Sequence, residues 1–228
     1  PVALTVLLTL ALGTALGALT GLLIAKLHIP DIIVTLATMN IFRGVAVMVT
    51  RSQWITDFSE GFLRIGASKG GLFSVPILLY AAVAVVFAVC LRWLPFGRLL
   101  YAVGGNREAA GLMGLNVASV KLRVYAVNGF LLGLAGLLFA SMFGSIQAAT
   151  AATSLQFQTM ASALIGGANI FGGAGSVLGT VFGTILLGMI KNGLVQIHAS
   201  EYWLDFITGA VILLALFVNL IQLRKKGR

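Results

Sequence analysis

Apolar runs long enough to cross a bilayer alternate with short polar breaks along almost the whole chain. Between Val124 and Ile190 there is no Asp, Glu, Lys or Arg, and about 20 apolar residues already span the hydrocarbon core as a helix. Cutting the runs at charges gives about seven spans, at 4–25, 32–49, 75–91, 124–146, 155–166, 177–195 and 203–221. In lipid every backbone N–H and C=O must be satisfied within the segment, so such spans are helices. The 155–166 run is short for a full crossing and reads as a broken or re-entrant segment. The pattern predicts an all-α, polytopic membrane protein. Residues 1–228 then form a single transmembrane domain carrying one conspicuous polar connection at 92–123.

Composition strengthens this reading. The chain is 59% hydrophobic and 9% charged, with mean hydropathy +1.05, far from the composition of soluble domains. Its 28 glycines fit as well, because small residues let helices approach closely in lipid. Gly13, Gly17 and Gly21 form one stripe, and Gly175, Gly179 and Gly183 another; helix packing explains both.

The net charge of +9 bears on orientation through the excess of Lys and Arg in cytoplasmic connections. Arg92, Arg98, Arg107, Lys121 and Arg123 share one connection, and Arg224, Lys225, Lys226 and Arg228 lie in the tail, so these sides read as cytoplasmic. The 51–69 connection mixes Asp57 and Glu60 with its bases, and the 198–205 region is acidic, so both read as external. Seven alternating spans satisfy all four assignments with an external N-terminus and a cytoplasmic C-terminus. Topology and anionic lipid headgroups then account for the positive charge, and nucleic acid is not an expected partner.

Several chemistries lack their residues. Cys90 is the only cysteine, which rules out an intrachain disulfide or a cysteine metal cluster. His28 and His198 fall on opposite faces of the predicted topology, so no metal site is expected. An intramembrane enzyme needs a nucleophile and base or paired acids in a cavity, and no catalytic residue is expected here. An ion-coupled secondary transporter needs carboxylates at membrane depth, and Asp31 beside Pro30 is the only candidate. The glycine-rich 166–179 segment invites comparison with a phosphate-cradling loop, but no Gly-Lys-Ser/Thr follows and no strand precedes it. It reads as a tight cytoplasmic turn in which glycines supply positive φ while Asn169 and Ser176 satisfy backbone groups. The chain begins with Pro1 and shows no signal peptide before the first span, so its N-terminus reads as incomplete.

The polar island at 104–114 carries the sharpest signal. Residues 107–115 are good helix formers interrupted by Gly111 and Gly114, with Leu112, Met113 and Leu115 on a loop that covers no core. Glu108 suits the positive end of the helix dipole, and Gly114 suits a left-handed terminus. This is either a solvated loop helix or a docking helix for a cytosolic partner. Within the spans, Asn40, Asn128, Gln147, Gln156, Gln158 and Asn192 offer the donors and acceptors a neutral polyol needs, although bonding between helices uses the same groups. Arg43 and Lys191 either face a wet cavity or snorkel to the headgroups. Trp54, Trp93, Tyr202 and Trp203 fall at span ends and read as interfacial anchors.

Glu108-Ala109-Ala110, three residues and then Gly114 resemble the EAA-x-x-x-G loop of bacterial ABC-importer permeases. Phe96-Gly97-Arg98, the 101–106 lead-in, Gly114-Leu115-Asn116-Val117, the 165–180 glycine segment, Asn192-Gly193-Leu194 and the 29–44 region look like the ribose-type sugar permeases. The resemblance covers nearly the whole chain. It implies a permease subunit that moves a monosaccharide or related polyol inward across the bacterial cytoplasmic membrane, with a branched-chain amino-acid permease as the nearest alternative. Arg107, Glu108, Ala109, Ala110, Leu112, Met113 and Gly114 are then expected to dock a cytosolic ABC ATPase, which binds the ATP, so that this chain needs no cofactor. A second permease subunit, a periplasmic sugar-binding protein and membrane lipid are the other implied partners. Asn40, Arg43, Asn128, Gln156, Lys191 and Asn192 are the substrate-pathway candidates. Such permeases have about ten spans, so roughly three are expected upstream of Pro1, and the Gly13, Gly17 and Gly21 stripe is expected to lack a packing partner.

Overall fold

The computed structural model describes residues 2–27, 29–66, 74–153, 155–169, 172–198, 200 and 202–226. His28, Lys69, Ile170, Phe171 and Arg228 lie outside the described residues. The elements in chain order are α1 (Val2–Leu27), α2 (Asp31–Thr50), β1 (Trp54–Ile55), α3 (Glu60–Gly66), α4 (Val75–Trp93), α5 (Pro95–Gly105), α6 (Arg107–Leu112), α7 (Val117–Phe143), β2 (Ile146–Gln147), α8 (Leu155–Ile165), α9 (Val177–Gln196) and α10 (Tyr202–Lys226). Among the described residues, α1, α2, α4, α7 and α9 are long and apolar enough to cross a membrane. α10 has 25 residues, with a described apolar stretch at Asp205–Leu214. α8 has 11 residues and rises about 16 Å, roughly half of a ~30 Å hydrocarbon core. The protein is all-α and polytopic, and each predicted span is helical.

Two differences from the sequence pattern have local causes. The fourth span is shifted: α7 starts at Val117, where the Asn116 side chain accepts the Ser119 N–H at 2.9 Å, and stops at Gly144, whose φ is 64°. A left-handed glycine ends a helix cheaply, so Ile146 and Gln147 leave the span and pair antiparallel with Ile55 and Trp54. Gln147 is therefore a loop residue, and its Nε2 donates to the Ser52 carbonyl at 3.0 Å. α5 was not expected. Pro95 occupies its first turn, where a missing N–H costs nothing, and Gly97 packs directly on the Leu91 backbone.

The chain forms two compact units, Pro1–Ala82 with Gly111–Ala151, and Val83–Ala110 with Ala152–Arg228. In the first, α1 crosses α7. A Cβ on Gly13 would lie 2.6 Å from the Gly129 carbonyl oxygen, and one on Gly17 would lie 2.8 Å from the Gly129 Cα. The stripe expected to lack a partner thus has one within the chain, in Tyr125, Gly129 and Gly133 of α7. Glycines on both helices let the two backbones touch, and that contact leaves no space for another helix there. α3 packs on α7 through Gly66 against Ser141, and the Ser141 hydroxyl donates to the Phe62 carbonyl at 2.7 Å. Lys121 Nζ and Asp31 Oδ1 pair at 2.8 Å, tying the start of α2 to the start of α7. In the second unit α8 packs on α9, with Gly179 against Gly166 and Gly183 against the Ser162 carbonyl, and α10 packs on both. Packing is thus the role of the second stripe, as predicted, although Gly175 sits in the preceding turn.

Candidate functional site

The polar island folds as a capped single turn and a half. Asn106 Oδ1 accepts the Ala109 N–H at 3.0 Å, which satisfies one of the open donors of α6. Glu108 is exposed in its first turn, where the dipole favours a carboxylate. The segment ends at Gly114, whose φ is +81° and whose N–H donates to the Gly111 carbonyl at 3.0 Å. The predicted left-handed terminus is in place, but the helix is shorter than 107–115 and stops at Leu112. Burial divides its side chains sharply. Ala110 is 1% exposed, whereas Leu112 is 90% and Met113 73% exposed; Leu115, expected on the exposed face, is half-buried. Arg107 and Glu108 share the open face with Leu112 and Met113 as exposed residues, while Ala109 is half-buried. The capping role of Asn106 was missed, though an Asn three positions before Ala109 is the ordinary signal for it.

The glycine segment is a packing turn. Gly172 and Gly173 take φ of 93° and 77° and lie on α5, where a Cβ on Gly173 would sit 2.7 Å from the Gly105 Cα. The Tyr101 hydroxyl donates to the Gly175 carbonyl at 2.8 Å, a contact that spacing along the chain gives no hint of. The Asn169 N–H donates to the Ala174 carbonyl at 2.9 Å and the Gly172 N–H to the Asn169 carbonyl at 3.0 Å. Ser176 Oγ accepts the Gly179 N–H at 3.0 Å, capping α9 as expected. Those turn N–H groups are spent within the turn and on α9.

The six substrate-pathway candidates are divided between the two units. Asn40 donates back to the Leu36 carbonyl of its own helix at 2.9 Å. Arg43 Nη2 reaches the Ala151 carbonyl at 3.4 Å. Asn128 lines a cavity of about 360 Å³ among α1, α2 and α7. Those three belong to the first unit, and Gln156, Lys191 and Asn192 to the second. Lys191 lines a smaller space of about 190 Å³ between α8 and α9, together with Gln158, Thr159, Ser162 and Thr184. Gln156 and Asn192 are exposed on their helices. Asp31, the carboxylate that an ion-coupled carrier would need, is committed to Lys121.

Apolar helices joined by short capped connections, with one capped turn holding apolar side chains outward, define an integral membrane protein of the helical, multi-pass class. Residues 1–216 match the family described as the branched-chain amino acid transport system, permease component, and the chain belongs to that family. It is 35% identical over 226 residues to a ribose import permease protein of Haemophilus influenzae, covering 96% of this chain and 69% of the relative. It is 34% identical over 213 residues to an autoinducer 2 import system permease protein of Photorhabdus laumondii, covering 93% and 64%. A ribose import permease protein of Escherichia coli is 35% identical over 216 residues, covering 92% and 66%. The chain thus spans about two thirds of the length of these curated relatives. No solved structure matches it. Membership makes the protein a transport permease component and not an enzyme.

Proposed function

We propose that this chain is permease sequence of an ATP-binding-cassette importer that carries a monosaccharide or related neutral polyol inward, acting as one transmembrane domain with a coupling loop at 92–123. The carrying observation is α6: a six-residue helix, capped at both ends, that leaves Leu112 almost fully exposed and Met113, just beyond it, largely exposed on a connection between spans. Apolar side chains held outward by a rigid turn fit a groove on a soluble partner. Arg107, Glu108, Ala109, Ala110, Leu112, Met113 and Gly114 form that docking unit in this reading, and a cytosolic ATPase is the occupant. The relatives' names favour sugar-like cargo over the branched-chain amino acids in the family description. A second permease subunit and an external sugar-binding protein complete the assembly. Closure of the ATPase pair on ATP draws the docking helices together and switches the permease between inward- and outward-open states, with the nucleotide held entirely by the partner. In the complete complex, Glu108→Ala or Gly114→Leu should lower ATPase co-purification at least tenfold with membrane insertion intact. Full co-purification and unaltered sugar-stimulated hydrolysis in both would sink the assignment.

We also infer the orientation from charge: 92–123 and the tail cytoplasmic, the 51–69 and 198–205 connections external. Pairing of β1 with β2 and of Asp31 with Lys121 supports it, because each pair joins connections that seven alternating spans put on one side. Cysteines replacing Ser59 and Ser200 in a Cys90→Ala background should react with a membrane-impermeant thiol reagent in intact cells, and one replacing Ser119 should not. The reverse labelling would overturn the orientation.

A further inference from the structure

In the first unit α2 is tied to α7 differently at its two ends. Beyond the outer ends, β1 pairs with β2, the Gln147 side chain donates to the Ser52 carbonyl, and Arg43 reaches the Ala151 carbonyl. At the inner ends the tie is a charge pair, Asp31 Oδ1 on Lys121 Nζ at 2.8 Å, with the two side chains 25% and 15% exposed. A backbone ladder parts only when its N–H and C=O groups find other partners, whereas a partly exposed ion pair exchanges its partner for water at little cost. Between the two ties α2 is lightly held, with Val34 and Thr38 as its buried residues, while α7 is locked to α1 by the glycine crossing. The joint that parts most easily is thus the inner one, between α2 and the body formed by α1 and α7.

One helical turn outward, Thr35 follows Asp31 and Tyr125 follows Lys121 on the same helix faces, and both line the space of about 360 Å³ among α1, α2 and α7. The pair therefore closes the cytoplasmic end of that space. Lys121 also stands close behind the docking unit. Gly114 ends that unit in a left-handed turn, Asn116 caps α7 by accepting the Ser119 N–H, and Lys121 lies in the second turn of α7. The cap fixes the path of the chain into the helix, so a displacement of the docking unit moves the start of α7 and carries Lys121 with it.

We propose that the Asp31–Lys121 pair is an inner latch that couples the docking unit to α2. When ATP draws the docking units together, the pair forms and shuts the space among α1, α2 and α7 from the cytoplasm. When they separate, the pair parts and the start of α2 swings away from α7. Both residues are positioning groups in a two-state contact. The latch rests on the importer reading above and adds the contact through which the ATPase moves α2.

Thr38 is 6% exposed and lines the space, so a cysteine there reports its opening. The parent sample is the full complex with its ATPase and binding protein in inside-out vesicles, carrying Thr38→Cys and Cys90→Ala. The probe is a membrane-impermeant methanethiosulfonate added to the cytoplasmic face. Labelling should be at least fivefold faster without nucleotide than with the ATPase arrested by ATP and orthovanadate. Lys121→Met, which keeps the side-chain length without the charge, should bring the arrested complex to the nucleotide-free rate. Lys121→Arg, which keeps the charge, should stay within twofold of the arrested parent. An arrested rate for Lys121→Met within twofold of the parent would overturn the latch, and so would a parent that binds its ATPase yet labels alike in both states; the importer reading would stand in either case. Fast labelling of the Met and Arg variants alike would mean disturbed packing and would also overturn it. A parent chain that binds no ATPase would overturn latch and importer together. Should Lys121→Met fail to insert, Asp31→Asn carries the same expectation, and slow labelling there would overturn the latch.

Discussion

In the crossing of α1 on α7, glycines stand on both helices. Gly13 and Gly17 meet Gly129 backbone to backbone, near the middle of helices of 26 and 27 residues. In the crossing of α8 on α9 only α9 carries a stripe. Its Gly179 meets Gly166, which lies just beyond the end of α8, and its Gly183 meets the Ser162 carbonyl. The first contact is thus held rigid by two long helices that cannot separate locally. The second ends in the glycine turn, where φ of Gly167, Gly172 and Gly173 is positive and the backbone can give. With no hydrophobic force between helices in lipid, close backbone packing is what holds each pair, so the two should respond differently to one added side chain.

The largest effect is expected at Gly129. A Cβ there would collide with the Gly13 carbonyl oxygen and lie 2.8 Å from the Gly17 Cα, while a Cβ on Gly136, two turns along the same helix, meets nothing within 4 Å. Gly129→Leu must push α1 off α7, at a cost of about 3 kcal/mol or more on the scale of overpacked cores. Gly136→Leu should cost little. Monodisperse yield in detergent should collapse for the first and hold for the second. Equal yields would mean that the α1–α7 crossing does not hold the first unit together.

The same contrast explains what could be read from sequence. Spans and their breaks were visible because lipid forbids unsatisfied backbone and charge, a demand written in residue types. The Gly13, Gly17 and Gly21 stripe was visible too, but its partner Gly129 lies more than a hundred residues away and carries no local mark. α5 was missed because its Pro95 start falls among charges that signal a connection, and a loop helix resting on Gly172 and Gly173 needs no long apolar run. Gln147 was misplaced because hydropathy does not register the left-handed turn at Gly144. At the candidate site, Gly114 and Glu108 were legible through rules of helix ends. The gathering of Asn128 with Thr20, Thr35 and Thr38 depends on how three helices meet, and an amide in a span reads the same whether it serves a ligand or, like Asn40, its own helix.

The smallest effect, and the one that most sharpens the contrast, is expected at Gly179→Ala. Replacing a helical glycine by alanine favours the helix by up to about 1 kcal/mol, so in open space the change stabilises. Gly188, in the same helix, is such a position, with nothing within 4 Å of its Cβ direction. At Gly179 the added methyl would meet the Gly166 carbonyl and lie 2.8 Å from Ser176 Oγ, the cap of α9. The clashing atom is backbone, so the end of α8 and its turn must move aside, and the clash should exceed the helix gain by about 2 kcal/mol. Thermal unfolding in detergent should therefore move in opposite directions, down for Gly179→Ala and up for Gly188→Ala. A rise in both would mean that α8 yields freely and that the second crossing is not held by backbone contact.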